Sequence, residues 1–279
     1  MSEIRKMVNR AFEEKWAIGH FNMPTIEAAQ GIALAAERYH GPVILGTADG
    51  TFDHLGMEYV RLIVEEVRRH AKGHVFLHMD HGTPDQAHYC IDCGYDSVMV
   101  DASMLPYEEN VRITREVVEH ARKYDVAVEA QIGKTWESGD ERFGEDCDTH
   151  PDEAEQFVKD TGIDWLAVSI GNNPGAVDVH AAPIQLDVLA EIERCCGVPI
   201  VMHGGTNVGD ETMREAIKLG VAKVNIDTAI RYAVTGAVTD YYAANPGVVD
   251  IRPGMADARE RVCTTVGQKM ELFGSTGRL

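Results

Sequence analysis

The 279 residues predict an α/β protein built as a (β/α)8 barrel. Three observations carry that prediction. Short apolar runs rich in Val and Ile recur eight times, stretches of helical period lie between them, and each run is apolar at consecutive positions, as strands of a parallel sheet covered on both faces are. Eight such alternations close into a barrel, with an open doubly wound sheet as the structural alternative. Barrels of this length commonly form one domain, so residues 1–279 are expected to be a single domain with an N-terminal helix and a C-terminal closing helix.

In chain order, "MSEIRKMVNRAFEEK" has helical spacing and both charge signs, and precedes the first strand, "AIGHF" (17–21). The other strands are "PVILG" (42–46), "HVFLHM" (74–79), "DSVMV" (96–100), "VAVEAQI" (126–132), "DWLAVSI" (164–170), "PIVMH" (199–203) and "AKVNI" (222–226). Between them, "TIEAAQGIALAAERY", "YEENVRITREVVEHARKY" and "GDETMREAIKLG" repeat apolar residues every three or four positions. Thr83 and Pro84 form an N-cap and first-position pair for a helix after the third strand, and Gly94 stops that helix. The last segment, "DARERVCTTVGQKMELFG", reads as the closing helix.

The charge balance is 26 Lys and Arg against 45 Asp and Glu, a formal −19, which repels nucleic acid and anionic membrane surfaces. An anionic ligand must therefore be held by local groups. The six Cys, at 90, 93, 147, 195, 196 and 263, lack the spacing of a disulfide framework, and Cys90 and Cys93 sit at the end of a helix with no second pair to complete a zinc set. A reduced, cytoplasmic protein is expected. No run is long enough to span a bilayer, and the start carries no apolar signal region.

Active sites of this fold lie at the C-terminal strand ends. Polar residues occupy nearly all of those ends: Asp80 and His81, Asp101, Glu129 and Gln131, Asn172 and Asn173, His203, then Asn225, Asp227 and Thr228. His81 and His203 are candidate metal ligands, since imidazole suits zinc and similar ions and two strand ends can share one ion. Either alone would more often be a histidine bonded at a helix start. Asp80, on the other side of the chain from His81, is a candidate general base or acid. His78 is expected to pack behind the ligands. "HGGTN" (203–207) offers consecutive backbone N–H groups before a helix, and "NIDT" (225–228) ends the next strand, as in barrels that bind phosphate after strands seven and eight. Arg231 lies one turn further on and can contact an anion.

Together these residues resemble the class II, metal-dependent ketose-bisphosphate aldolases. The likeness runs along nearly the whole chain, through "GHFNMPTIEAAQGI", "HMDHG", "SVMVDAS", "LPYEENV", "VEAQIG", "TGIDWLAVSIG", "VMHGGT", "KVNIDT" and "ELFGSTG". It implies a dimeric or larger barrel that uses a divalent ion, commonly zinc, to polarise a ketose carbonyl and stabilise the enediolate of dihydroxyacetone phosphate. Asp80 matches the acid that handles the C4 hydroxyl proton. His81 and His203 match two metal ligands, and Gly204, Gly205, Thr206, Asn225 and Thr228 lie around the position of one phosphate. Asp227 and Arg231 match residues that read sugar hydroxyls and the far phosphate, and Asn22, Asp101 and Glu129 also fit the pattern. The implied partner is a small phosphorylated sugar.

Several departures fall at the site. The family's His in "G-x-x-H-G" is Pro174 in "GNNPG", its second acid in "VEAELG" is Gln131, a Ser after the second strand is Ala48, and its mobile acidic loop reads "KTWESGDE". Glu137 or Glu141 would then supply the proton-transferring acid. Three readings follow: His180 or another group replaces the missing ligand, a harder ion binds through fewer imidazoles, or the metal is lost, leaving different chemistry or a sugar-phosphate binder. A metal-free Schiff-base route would use Lys223 or Lys134.

Overall fold

The polypeptide is described by a computed structural model over residues 1–71, 74–134, 148–172 and 183–279. Eight strands appear where the apolar runs predict them: β1 (Ile18–Asn22), β2 (Val43–Thr47), β3 (Val75–Gly82), β4 (Ser97–Val100), β5 (Ala127–Ile132), β6 (Trp165–Val168), β7 (Ile200–Met202) and β8 (Val221–Ile226). They follow one another in a closed barrel, and every registered pair is parallel, which is the (β/α)8 fold. β2, β4, β5, β6, β7 and β8 are buried at every position, so consecutive apolarity is what burial on both faces demands.

The helices are α1 (Glu3–Glu14), α2 (Ile26–Arg38), α3 (Asp49–Leu55), α4 (Met57–His70), α5 (Pro84–Asp92), α6 (Tyr107–Ala121), α7 (Pro151–Thr161), α8 (Leu186–Cys196), α9 (Asp210–Lys218), α10 (Thr228–Ala244) and α11 (Arg252–Phe273). The segment before β3 is split in two at Gly56, whose φ of 83° ends α3 and starts α4. The closing helix starts at Arg252, five residues earlier than the expected segment, with Pro253 in its first turn. Thr83 and Gln86 cap each other's backbone N–H groups at the start of α5, with Pro84 in the first helical position. That cap anchors the C-terminal end of β3.

The chain forms two compact units. One contains residues 1–18 and 78–225, the other 19–77 and 226–279. In the first, Arg5 of α1 reaches Asp164, Asp125 and the Val126 carbonyl, while Asp164 also accepts from the Val128 amide at 2.8 Å, so α1 is tied to the chain on either side of β5. In the second, α11 packs on α2 and α10, and β1 pairs with β2 from Gly19↔Val43 to Asn22↔Gly46. Among the described residues, no helix is long and apolar enough to cross a membrane.

Candidate active site

Strand alternation sends Asp80 and His81 to opposite sides of β3, but the structure brings them to one point. β3 and β4 are in register at Met79↔Val98 and again at Gly82↔Val100, so Asp80 and His81 together stand opposite one residue of β4. His81 takes the left-handed conformation, φ 50°, rare for a residue with a side chain. A bulge of this kind turns the strand and re-aims its side chains. As a result His81 Nε2 lies 3.9 Å from Asp80 Oδ1, and the expected opposition of the two residues is corrected by that extra residue in the strand.

His203 follows β7 and completes the cluster. Its Nδ1 is 2.9 Å from His81 Nε2 and 3.9 Å from Asp80 Oδ1. Each imidazole has a carboxylate on its opposite nitrogen. Asp101 Oδ2 is 2.7 Å from His81 Nδ1, and Glu129 Oε1 is 2.8 Å from His203 Nε2. Such backing fixes the ring and directs the other nitrogen forward. Asp101 is itself held by the amide and hydroxyl of Ser103, at 3.0 and 2.7 Å.

The electrostatics follow from these pairings. Burial opposes charge on His81, but the Asp80 carboxylate and the bond to Asp101 outweigh it and raise the imidazole to about 9. Burial likewise pushes the Asp101 carboxyl up, yet its bonds to His81 and Ser103 pull it down to about 2. Glu129 is fully buried, and although burial raises its carboxyl, the Lys223 ammonium at 2.8 Å and the His203 bond hold it well below the usual carboxylate range. His78 packs behind the cluster as expected, with Nδ1 2.8 Å from Ser97 Oγ and Nε2 3.7 Å from Glu129 Oε2.

Lys223 sits inside β8 with no exposed surface, donating to Asn225 Oδ1 at 2.7 Å as well as facing Glu129. Asn225 Nδ2 in turn donates to Asp80 Oδ1 at 3.0 Å. An amine held by a carboxylate and an amide oxygen would have to leave both to act as a nucleophile, which argues against Schiff-base chemistry at Lys223. The sequence singles out Lys223 only as a candidate for the Schiff-base route, not as a buried partner of other side chains. The signal was available: a lysine in "VAKVNI" is buried only if paired.

Could these groups hold a divalent ion? The ligand atoms of Asp80, His81 and His203 all lie within 4.8 Å of one another. Their separations enclose a point about 2.1 Å from each atom, the distance at which imidazole nitrogen and carboxylate oxygen bind zinc and similar ions. Two imidazoles and one carboxylate are also a donor set that such ions accept. The residues therefore fit the group.

Other sequence-predicted residues are placed as follows. Gly205 donates its N–H to the Asn225 carbonyl at 3.1 Å, and Gly204 has φ 68°, with Thr206 following before α9. In the second unit, Asn22 ends β1 beside Gly46, where an added Cβ would stand 2.3 Å from Asn22 Oδ1 and 1.7 Å from His20 Nε2. Asp227 precedes α10, Thr228 opens it, and Arg231 pairs back to Asp227 at 2.6 Å. Ala48 precedes α3 with no side-chain cap, the bond that a serine there would supply. Gln131 is buried in β5 and donates to the Gly133 carbonyl at 3.1 Å. His180, Glu137, Glu141 and Pro174 lie outside the described residues.

A parallel (β/α)8 barrel carrying two carboxylate-backed imidazoles, an acid and an amide at its strand ends has the make-up of a barrel enzyme with a metal centre. Comparison with known proteins narrows the class. The family model "Fructose-bisphosphate aldolase class-II" matches residues 2–278. The fructose-bisphosphate aldolase of Geobacillus stearothermophilus is 37% identical over 282 residues, covering 99% of this chain and 97% of its own. Among solved structures, the YdjI aldolase of Escherichia coli K12 superposes with a TM-score of 0.87 at 31% identity, covering 100% of this chain and 99% of the other. A putative fructose-1,6-bisphosphate aldolase from Coccidioides immitis gives 0.86 at 28% identity, with 98% and 96% covered. The chain belongs to the class II fructose-bisphosphate aldolase family and is an aldolase-type carbon–carbon lyase.

Proposed function

We propose that this protein cleaves a phosphorylated ketose of the fructose 1,6-bisphosphate type to dihydroxyacetone phosphate and an aldehyde, reversibly and with a divalent ion, most simply Zn2+. The observation that carries the reading is the convergence of Asp80 Oδ1, His81 Nε2 and His203 Nδ1 on one point, with Asp101 and Glu129 behind the rings. His81 and His203 would hold the ion. When bound, the ion would polarise the ketose carbonyl and stabilise the enediolate.

The chain's own groups do the rest. Asp80 takes the proton of the hydroxyl on the aldehyde side, that oxygen's electron pair forms the new carbonyl, and the adjacent carbon–carbon bond breaks towards the ketose carbonyl. Asn225 steadies the Asp80 carboxylate through its amide. A second acid must then protonate the carbon that lost its bond, the role proposed for Glu141. The amides of Gly204 and Thr206, with Asn225 and Thr228, are the proposed contacts of the phosphate next to the carbonyl. Asp227 and Arg231 are proposed for the hydroxyls and far phosphate, which requires Arg231 to exchange its bond to Asp227 for the phosphate.

Pro174 in place of a family histidine keeps a second reading in play, a protein that binds sugar phosphate without cleaving it. One assay separates the two. Purified protein is given fructose 1,6-bisphosphate with and without prior chelation, and dihydroxyacetone phosphate is measured. Chelator-sensitive release is expected. Binding without release would overturn cleavage of this substrate, and release that ignores chelation would overturn the metal's role.

A further inference from the structure

We propose that Lys223 is a positioning residue for the aldol chemistry: its buried ammonium dictates which way the Asn225 amide turns, and so whether that amide donates to Asp80. The reasoning starts from donor and acceptor chemistry. A lysine ammonium has three donors and no acceptor, whereas an amide presents oxygen on one side and NH2 on the other. With Nζ 2.7 Å from Asn225, the amide oxygen must face Lys223, and the NH2 is left to face Asp80 Oδ1 at 3.0 Å. Turned the other way, the amide would aim an oxygen at a carboxylate oxygen and its N–H groups at an ammonium, and both contacts would repel.

The same ammonium lies 2.8 Å from Glu129 Oε2, while the other oxygen of Glu129 is 2.8 Å from His203 Nε2. Lys223 thus joins the two halves of the site, the acid that moves a proton and the imidazole that faces the ion. Lysine is costly to bury, and Lys223 is wholly enclosed. A lysine needed only to neutralise Glu129 would become dispensable once Glu129 is neutral. A lysine that orients Asn225 would not.

That contrast is the experiment, and its turnover arm rests on the aldolase reading above. Lys223→Met is made in a Glu129→Gln background, so that no buried carboxylate is left unpaired, and is compared with Glu129→Gln alone at saturating metal. The expected result is a further fall in kcat of roughly tenfold to a hundredfold, with KM changed less than about twofold and the melting curve retained. Equal turnover in the two variants would overturn the proposal. Lys223→Gln, which offers an acceptor as well as a donor and no longer dictates the amide's direction, serves where the methionine variant does not fold.

A second readout needs no turnover. In 15N-asparagine-labelled protein, Asp80→Ala should move the side-chain NH2 resonance of Asn225 when Lys223 is present and leave it nearly unmoved when Lys223 is Met, a coupling read as a double-mutant cycle. An equal shift in both backgrounds would overturn the proposal even if the protein cleaves no ketose at all. Coupling without turnover on any ketose phosphate would instead keep the positioning role and sink the aldolase reading.

Discussion

Two pairs of histidines in this protein have the same ring spacing and different surroundings. His81 and His203, at strand ends, have ring centroids 4.6 Å apart, and so do His88 and His120, on the outer helices α5 and α6. In the first pair each ring has a carboxylate on its far nitrogen, and the near nitrogens meet a third donor, Asp80. In the second, His120 bonds Asp92 on the surface at 2.8 Å, and His88 Nε2 has no hydrogen-bond partner among the described residues. No third ligand atom converges on it among the described residues. Nearness of two imidazoles does not make a metal centre. A carboxylate behind each ring and a third acidic oxygen close in front are what set the strand-end pair apart from the helix-face pair.

The comparison breaks most sharply at His203. His203→Ala should abolish tight metal uptake and lower cleavage by roughly a thousandfold or more, since the ion's charge stabilisation is several kcal/mol. Metal analysis and initial rates check this, and a variant that keeps both would remove His203 from the ligand set. Glu129→Gln tests the backing carboxylate alone: metal affinity should fall by roughly tenfold to a hundredfold, read by calorimetric titration. Gly46→Ala, in the other unit, should cost about 1–3 kcal/mol of stability by pressing His20 and Asn22 aside, as denaturant melts would report. At the small end, a double His88→Ala, His120→Ala variant should bind metal like wild type and shift the melting temperature by no more than about 2 °C.

How much of this was legible in the chain differs by level. The barrel was readable because each strand is apolar at consecutive positions, a pattern only burial on both faces explains. The Thr83 and Pro84 cap was readable because capping is local in sequence. The meeting of His81 and His203 was expected from their strand ends, but the place of Asp80 beside them was not. Alternation placed Asp80 and His81 on opposite sides, and only the bulge opposite β4 shows otherwise. The partners of the rings were hidden for a similar reason: Asp101 lies twenty residues from His81, and Glu129 seventy-four from His203, so neither pairing exists until strands are in register. The burial of Lys223 was hidden in the same way, because its carboxylate partner, Glu129, stands on another strand far along the chain.

The account's central claim is that His81 and His203 hold a divalent ion beside the proton-accepting carboxylate of Asp80. The most direct measurement is Co2+ titration of chelator-stripped protein, followed by visible absorption, for wild type, His81→Ala, His203→Ala and the His88→Ala, His120→Ala pair. The account predicts one tightly bound ion in wild type and in the helix-face pair, with the absorption lost in the two strand-end variants. Equal uptake in all four proteins, or none in wild type, would contradict it.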